Sequence, residues 1–268
     1  MNALCQMTGL SRAGFYRWRV PRQSTRVEME IRDQMQKVAL ESSAYGYRRI
    51  TAELQRRGFE VNHKRVLRMM REDNLLCVRQ RAFVATTDSR HNLPVYANLA
   101  GAMMPAAINQ LWVADITYIR LRTEFIYLSV VLDAFSRRVI GWALGRTLAA
   151  ELALTALRMA LTERRPEPGL VHHSDRGVQY ASQDYTGMLK QHGVIISMSR
   201  KGNPYDNAAC ESFMKTLKYE EVYRSEYSDF NEAHARIGEF LESVYNQKRL
   251  HSALGYVPPA EFESGAVQ

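Results

Sequence analysis

Residues 111–133 read LWVADITYIRLRTEFIYLSVVLD. Two runs rich in β-branched and aromatic residues, 111–121 and 125–133, are separated by a short turn, and a third, RVIGWAL, follows at 138–144. Such runs bounded by turns predict three strands in an antiparallel meander. Asp115 lies in the middle of the first. Side chains alternate faces along a strand, so Asp115 shares its face with Val113 and Thr117. A carboxylate in a central strand is costly to bury unless its charge is compensated.

Downstream, the period changes. AAELALTALRMALTER (149–164) is an amphipathic helix, and LVHHSD (170–175) is a short strand ending at Asp175. Residues 183–192 read as a helix and VIISMS (194–199) as a fifth strand. A polar loop, RKGNPYDN (200–207), leads into a helix from about Asn207 to Val222, with Asp206 as its expected cap. A last long helix is expected from about Phe230 to Tyr245. Three hairpin strands followed by alternating helices and strands predict an α/β domain with a mixed sheet.

Upstream, the pattern is helical. Residues 2–19 read as two short helices around a Gly9 turn, the second started by Ser11 and carrying Arg12 and Arg17. A connecting helix is expected at 28–41. Residues 45–76 repeat the helix–turn–helix layout: Ile50 and Leu54 mark an apolar stripe, Gly58 breaks the helix, and Asn62 caps the next. Val66, Leu67 and Met70 are expected to face inward, with Lys64, Arg65 and Arg68 on the solvent side. The second helix of such a unit enters the DNA major groove. Residues 79–110 show no clean period and read as a linker.

Charge follows the same division. The chain of 268 residues has a net charge of +8. Residues 1–90 hold 18 Lys and Arg against 9 Asp and Glu, and residues 91–268 hold 18 against 19. A basic module beside a neutral one points to a polyanion-binding arm. No run of eighteen apolar residues and no signal-peptide core occurs, so no membrane association and a cytoplasmic location are expected. Cys5, Cys77 and Cys210 are odd in number and far apart, which disfavours a disulfide framework, and they lack the paired spacing of a structural zinc site.

Three acids sit where elements end or begin: Asp115 in the first strand, Asp175 at the end of the fourth, Glu211 one turn into a helix. Singly, each has an ordinary explanation. SDRG is good turn chemistry, and a helix glutamate is most often solvated. Together they make a hard-oxygen site suited to Mg²⁺ or Mn²⁺. Lys215 and Lys218, four and seven residues after Glu211, share its helix face.

The segments WVADITYI, YLSVVLDAFSRRVIGW, HHSDRGVQYAS, SMSRKGNPYDNAACESFMKTLK and YNQKRLHSALGYVPPAEF carry a resemblance. The chain resembles transposases of the retroviral-integrase superfamily. In particular it is similar to the second-frame products of bacterial insertion sequences of the insertion-sequence-three group. That resemblance implies an RNase H-like catalytic domain at 109–268 with a C-terminal helix and tail. Ahead of it stand helix–turn–helix-like segments at 1–27 and 28–78 and a linker at 79–108. It implies Asp115, Asp175 and Glu211 as catalytic residues holding two Mg²⁺ ions, which Mn²⁺ can replace. Water and then a 3′-OH attack phosphodiesters in line. Asp133 matches the pattern but is expected to be structural. His172 and His173 are expected at the strand end or against substrate, not on zinc.

The implied partners are double-stranded DNA, as terminal inverted repeats and target, and further copies of the chain on that DNA. An upstream-frame helix–turn–helix protein, separate or fused by frameshifting, and a nucleoid-associated location are implied too. Expected DNA contacts are Arg12, Arg17, Lys64, Arg65 and Arg68 in the basic third, and Arg200, Lys201, Asn203, Asn207, Lys215 and Lys218 near the acids. The competing readings are a catalytically inactive DNA-binding regulator or decayed copy, and a structure-specific nuclease on the same fold. The intact acids and lysines disfavour the first, and the tandem helical modules disfavour the second.

Overall fold

The computed structural model describes Ser11 and residues 26–73, 75, 93–122, 124–200 and 207–266. Arg12, Arg17, Lys201, Asn203 and the expected Asp206 cap lie outside the described residues, as does nearly all of the first helix–turn–helix-like segment. The chain divides into two compact units between Cys77 and Val78.

The first unit packs three helices: α1 (Arg26–Glu41), α2 (Tyr47–Arg56) and α3 (His63–Glu72). Ile31, Met35 and Val38 recur at helical spacing on α1 and are buried with Ile50 and Leu54 of α2. Gly58 takes φ +86° just past α2, a left-handed turn that glycine adopts without strain. The Asn62 side chain accepts a hydrogen bond from the Arg65 amide and starts α3, as expected. The inward face of α3 differs from expectation: Val66, Met69 and Met70 are buried, whereas Leu67 is only half-buried. Arg65 and Arg68 are not solvent-facing either. Both are half-buried and paired with Glu28, a nearly buried carboxylate on α1.

The second unit contains the mixed five-stranded sheet. Its strands are β1 (Leu111–Arg120), β2 (Phe125–Asp133), β3 (Val139–Gly145), β4 (Val171–Ser174) and β5 (Ile195–Met198), in the order β3-β2-β1-β4-β5. The first three form the antiparallel meander, and β4 and β5 add in parallel beside β1. Parallel pairs need crossover connections, which helices supply. Here they are α4 (Ala150–Arg164), the short α5 (Val178–Ala181) and α6 (Gln183–Gln191). α4 lies directly on β3: a Cβ added at Gly141 would come within 2.2 Å of the Ala156 carbonyl oxygen, so only glycine allows this approach.

Side-chain alternation sends Trp112 and Ala114 of β1 into the layer beneath α4 and α6. Leu111, Val113 and Ile119 go into the opposite layer, under α7 (Ala208–Glu220) and α8 (Phe230–Glu239). The long last helix read from the sequence ends at Glu239 and continues as a π-helix, Phe240–Tyr245. Just past that wide turn, Asn246 bonds both the amide and the carbonyl of Val139, at 3.0 and 2.8 Å. It thereby closes part of the open edge of β3. The final helix, α9 (Pro259–Ala266), is tied to α4 and the β2–β3 turn through Glu263, which meets Arg164, Arg138 and Ser136 at 2.6–2.8 Å.

Part of the stretch read as a linker lies along β5. The Ser197 hydroxyl accepts from the amides of Leu99 and Ala100, and Met198 donates to Ala97. Among the described residues, no helix is long and apolar enough to cross a membrane.

Candidate active site

β1 and β4 run in parallel with Leu111 beside Val171 and Val113 beside His173. Continuing that register by two residues brings Asp115 beside Asp175, which follows the last residue of β4. Asp115 stands on the β1 face covered by Cys210, Phe213, Met214 and Leu217 of α7. Burial pushes its carboxyl up to about 7, and the negative charges of Asp175 and Glu211 push the same way. The amide of Ile116, donating to Oδ1 at 2.8 Å, and the Lys218 charge pull against this. Asp175 is shaped by its turn: its Oδ1 accepts from the Gly177 amide at 2.8 Å. A Cβ at Gly177 would come within 3.0 Å of that oxygen, so glycine leaves the carboxylate room.

Glu211 is exposed in the first turn of α7. The helix is pinned at both ends. At its start, Asn207 donates from Nδ2 to the carbonyl of Ala114, the residue before Asp115, at 3.1 Å. At its end, Glu220 receives both Nε and a terminal nitrogen of buried Arg249 at 2.7 Å each. Lys218 is half-buried with its ammonium 4.9 Å from the centre of the Tyr118 ring. Burial lowers its pKa, and Asp115 raises it. Lys215 and Arg200 are exposed.

Three acids thus interact electrostatically at one place. Yet among the described residues no three His, Cys, Asp or Glu side chains gather closely enough to hold a metal ion. The donor chemistry itself fits a hard divalent cation. Asp115 and Asp175 present oxygens only, and the raised pKa of Asp115 marks a desolvated negative charge in want of a counter-ion. Asp175 and Glu211 both act electrostatically on Asp115, Glu211 from a separate helix.

The structure corrects other expectations. Asn207 is buried and spent on Ala114, so it is not a DNA contact. His172 and His173 lie buried near the end of β4, the strand-end place expected for them. His172 meets the Tyr185 hydroxyl at 3.1 Å, and burial drops its pKa to about 3, keeping it neutral. His173 bridges the hydroxyls of Ser197 and Ser199. Asp133 is structural as expected: it accepts from the amides of Asn109, Phe135 and Ser136 and organises the β2–β3 turn.

The sequence reads Tyr180 as a packing or DNA-contact residue, and the clamp on α7 went unread. Tyr180 is fully buried near the charges of Asp115 and Asp175, and its hydroxyl has no partner among the described residues. Arg249 and Glu220 form the clamp on α7; the sign available was an Arg inside the long C-terminal motif, with no periodic face to explain it.

Comparison with known proteins follows the same division. Residues 26–83 match the HTH-like domain, and residues 105–204 and 192–259 match the integrase core domain. The chain is 42% identical over 263 residues to the 31 kDa protein of insertion element IS600 from Shigella sonnei, covering 97% of each. It is 36% identical over 270 residues to transposase InsF for insertion sequence IS3A from Escherichia coli strain K12, covering 98% of this chain and 94% of that one. Among solved structures it is similar to the HTLV-2 integrase catalytic core domain in complex with magnesium. That match has TM-score 0.47 and 16% identity and covers 60% of this chain and 99% of the other. The chain belongs to the family of insertion-sequence transposases that includes InsF, with an HTH-like domain ahead of an integrase core domain.

Proposed function

We propose that this transposase cleaves DNA at the ends of its insertion sequence and joins the freed 3′-OH to target DNA. Asp115, Asp175 and Glu211 are the catalytic residues in this reading. The observation that carries it is the Asp115–Asp175 pair, brought side by side by the parallel register and left short of positive charge. Two Mg²⁺ ions, for which Mn²⁺ can stand in, would be held by the three carboxylates and would supply Lewis-acid stabilisation of the attacking and leaving oxygens.

The chain's own groups do the rest. β1 carries Asp115, and the turn just past the neighbouring β4 carries Asp175, held by the Gly177 amide. Glu211 arrives from α7, whose start is tethered to the strand of Asp115 through Asn207. Lys215 and Lys218 follow Glu211 at helical spacing and offer cations to the phosphates of the donor end; Lys218 leaves its place over Tyr118 to do so. The exposed Arg200 flanks the same site. The helical unit holds duplex DNA, and several copies of the chain act on one pair of ends.

The test uses the full chain and labelled duplexes ending in the terminal inverted repeats, with Mg²⁺. Nicking that frees a 3′-OH, followed by a joined product, is expected. Asp115→Asn, Asp175→Asn and Glu211→Gln should each abolish both steps while the protein remains folded. Wild-type strand transfer by any of the three variants removes that residue from the assignment. DNA binding by the wild type with no cleavage in either metal would establish the inactive-regulator reading instead.

A further inference from the structure

The basic residues of α3 fall into two groups with opposite fates. Arg65 and Arg68 lie on one flank and are consumed internally. Arg68 meets Glu28 at 3.1 Å and Glu72 at 2.9 Å, and Arg65 meets Glu28 at 3.8 Å. Arg32 of α1 joins the same cluster, pairing with Glu28, Glu72 and Asp73. On this flank the three arginines are matched by three carboxylates, so it offers a phosphate no net positive charge.

The rest of the exposed surface of α3 is different. Lys64 and Arg71 are seven residues apart, which on a helix places them within about 20° of one direction. Both are exposed, and among the described residues neither makes an ion pair. Leu67 lies between them, half-buried. Beside Lys64, His63 stacks at 6.2 Å on Tyr47 of α2, whose hydroxyl accepts from Nε of the exposed Arg48 at 3.1 Å. Arg48 also has no ion pair among the described residues. Lys64, Arg71 and Arg48 are thus cations without an acidic partner among the described residues, and an aromatic contact between His63 and Tyr47 links the two helices that carry them. The Arg65–Arg68 flank has neutralised its cations with buried and half-buried acids.

We infer that the helical unit binds double-stranded DNA through the Lys64–Arg71 face of α3, with Arg48 on the adjoining backbone, and that Arg65 and Arg68 take no part in binding. This rests on the reading of the protein as a DNA-joining enzyme. α3 is the second helix of a helix–turn–helix pair, the element that enters the major groove. The neutralised flank biases how α3 can turn, because the adjoining Lys64–Arg71 stripe carries the cations left over for phosphates. His63, Lys64 and Leu67, in the first half of α3, then meet base edges, while Arg71 and Arg48 meet the two backbone walls. Arg65 and Arg68 serve the fold: they neutralise Glu28 and fasten α1 to α3.

The test is equilibrium binding of the full chain to a 30-base-pair duplex of arbitrary sequence, by fluorescence anisotropy across a salt series, with thermal melting alongside. Each phosphate contact contributes about 0.9 to the slope of log affinity against log salt. Lys64→Ala, Arg71→Ala and Arg48→Ala should each lower the slope by about that amount without shifting the melting temperature. Arg65→Ala and Arg68→Ala should keep the slope and lower the melting temperature. Should Arg68→Ala fail to fold, Glu28→Gln gives the second measurement, with unchanged slope and reduced stability expected. Loss of slope in Arg65→Ala, with Lys64→Ala and Arg71→Ala unaffected, overturns the assignment of the face. An unchanged slope in all the helical-unit variants, with a reduced one in Lys215→Ala, overturns DNA binding by this unit altogether. Neither result touches the strand-transfer reading, which the cleavage assay decides separately.

Discussion

Replacing Asp115 by Asn should stabilise the metal-free protein while abolishing its chemistry. Folding moves the carboxyl from an ordinary 3.8 to about 7, through burial first and then the charges of Asp175 and Glu211. The sign follows from proton counting. Between pH 3.8 and about 7 the folded protein holds a proton that the unfolded chain has released, so stability falls as pH rises through that window. Below it both states are protonated and no penalty exists. Above it the penalty is complete. A shift of about three pKa units corresponds to about 4 kcal/mol at most. An amide in the same place still loses hydration, so about 2 kcal/mol of gain is expected, or about 4–8 °C for a unit of this size. The assay is thermal melting of wild type and Asp115→Asn in EDTA at pH 4 and pH 8, then at pH 8 with saturating Mg²⁺. The variant should melt higher at pH 8 and equally at pH 4, and Mg²⁺ should raise the wild type alone. Equal melting at pH 8 in EDTA, or an advantage that persists at pH 4, would refute the claim that folding raises the pKa of Asp115.

Other residues should respond in their own ways. Gly177→Ala should press on the Asp175 carboxylate and lower strand transfer at least tenfold with little change in melting, since the backbone there needs no left-handed angle; undiminished turnover would show that the carboxylate can move aside. Arg249→Gln removes the buried guanidinium that bonds half-buried Glu220 twice and should destabilise the protein by about 3 kcal/mol, measured by urea unfolding. Arg249→Lys should recover only part of this, because lysine cannot bond both carboxylate oxygens in a planar fork. Glu263→Ala strands Arg164 and should cost about 3–5 kcal/mol on the same assay. Lys215→Ala should weaken strand transfer at limiting DNA while leaving melting unchanged, and near-normal yields there would take Lys215 out of the site.

The strands and the Asp pair were legible because their signals are local. A β-rich run of ten residues declares a strand, and the register that joins Asp115 to Asp175 follows once β1 and β4 are neighbours. The turn at Gly58 and the Asn62 cap were legible for the same reason. What could not be read depends on partners distant in sequence. Arg65 and Arg68 look like surface cations until α1 brings Glu28 against them from some forty residues away. Asn207 looks like a polar loop residue until Ala114 offers it a carbonyl across ninety-three residues. The break in the last helix was hidden because its sequence contains neither glycine nor proline at Phe240–Tyr245. The reward for widening the turn lies in where it delivers Asn246.

These misread residues share one feature: each spends a polar group on holding an element whose position matters. The sheet and the turn past β4 set the spacing of Asp115 and Asp175, and no sheet bond reaches Glu211. Its helix is located by Asn207 at one end and by Arg249 at the other. Two carboxylates are therefore rigid and the third is carried on a body that is tethered but separate. Such an arrangement keeps repulsion among the acids bearable before a cation arrives. If all three converged in the metal-free state, each would add to the penalty that Asp115 already carries, and that penalty is a sizeable part of the stability a domain of this size has to spare. Holding Glu211 apart lowers it.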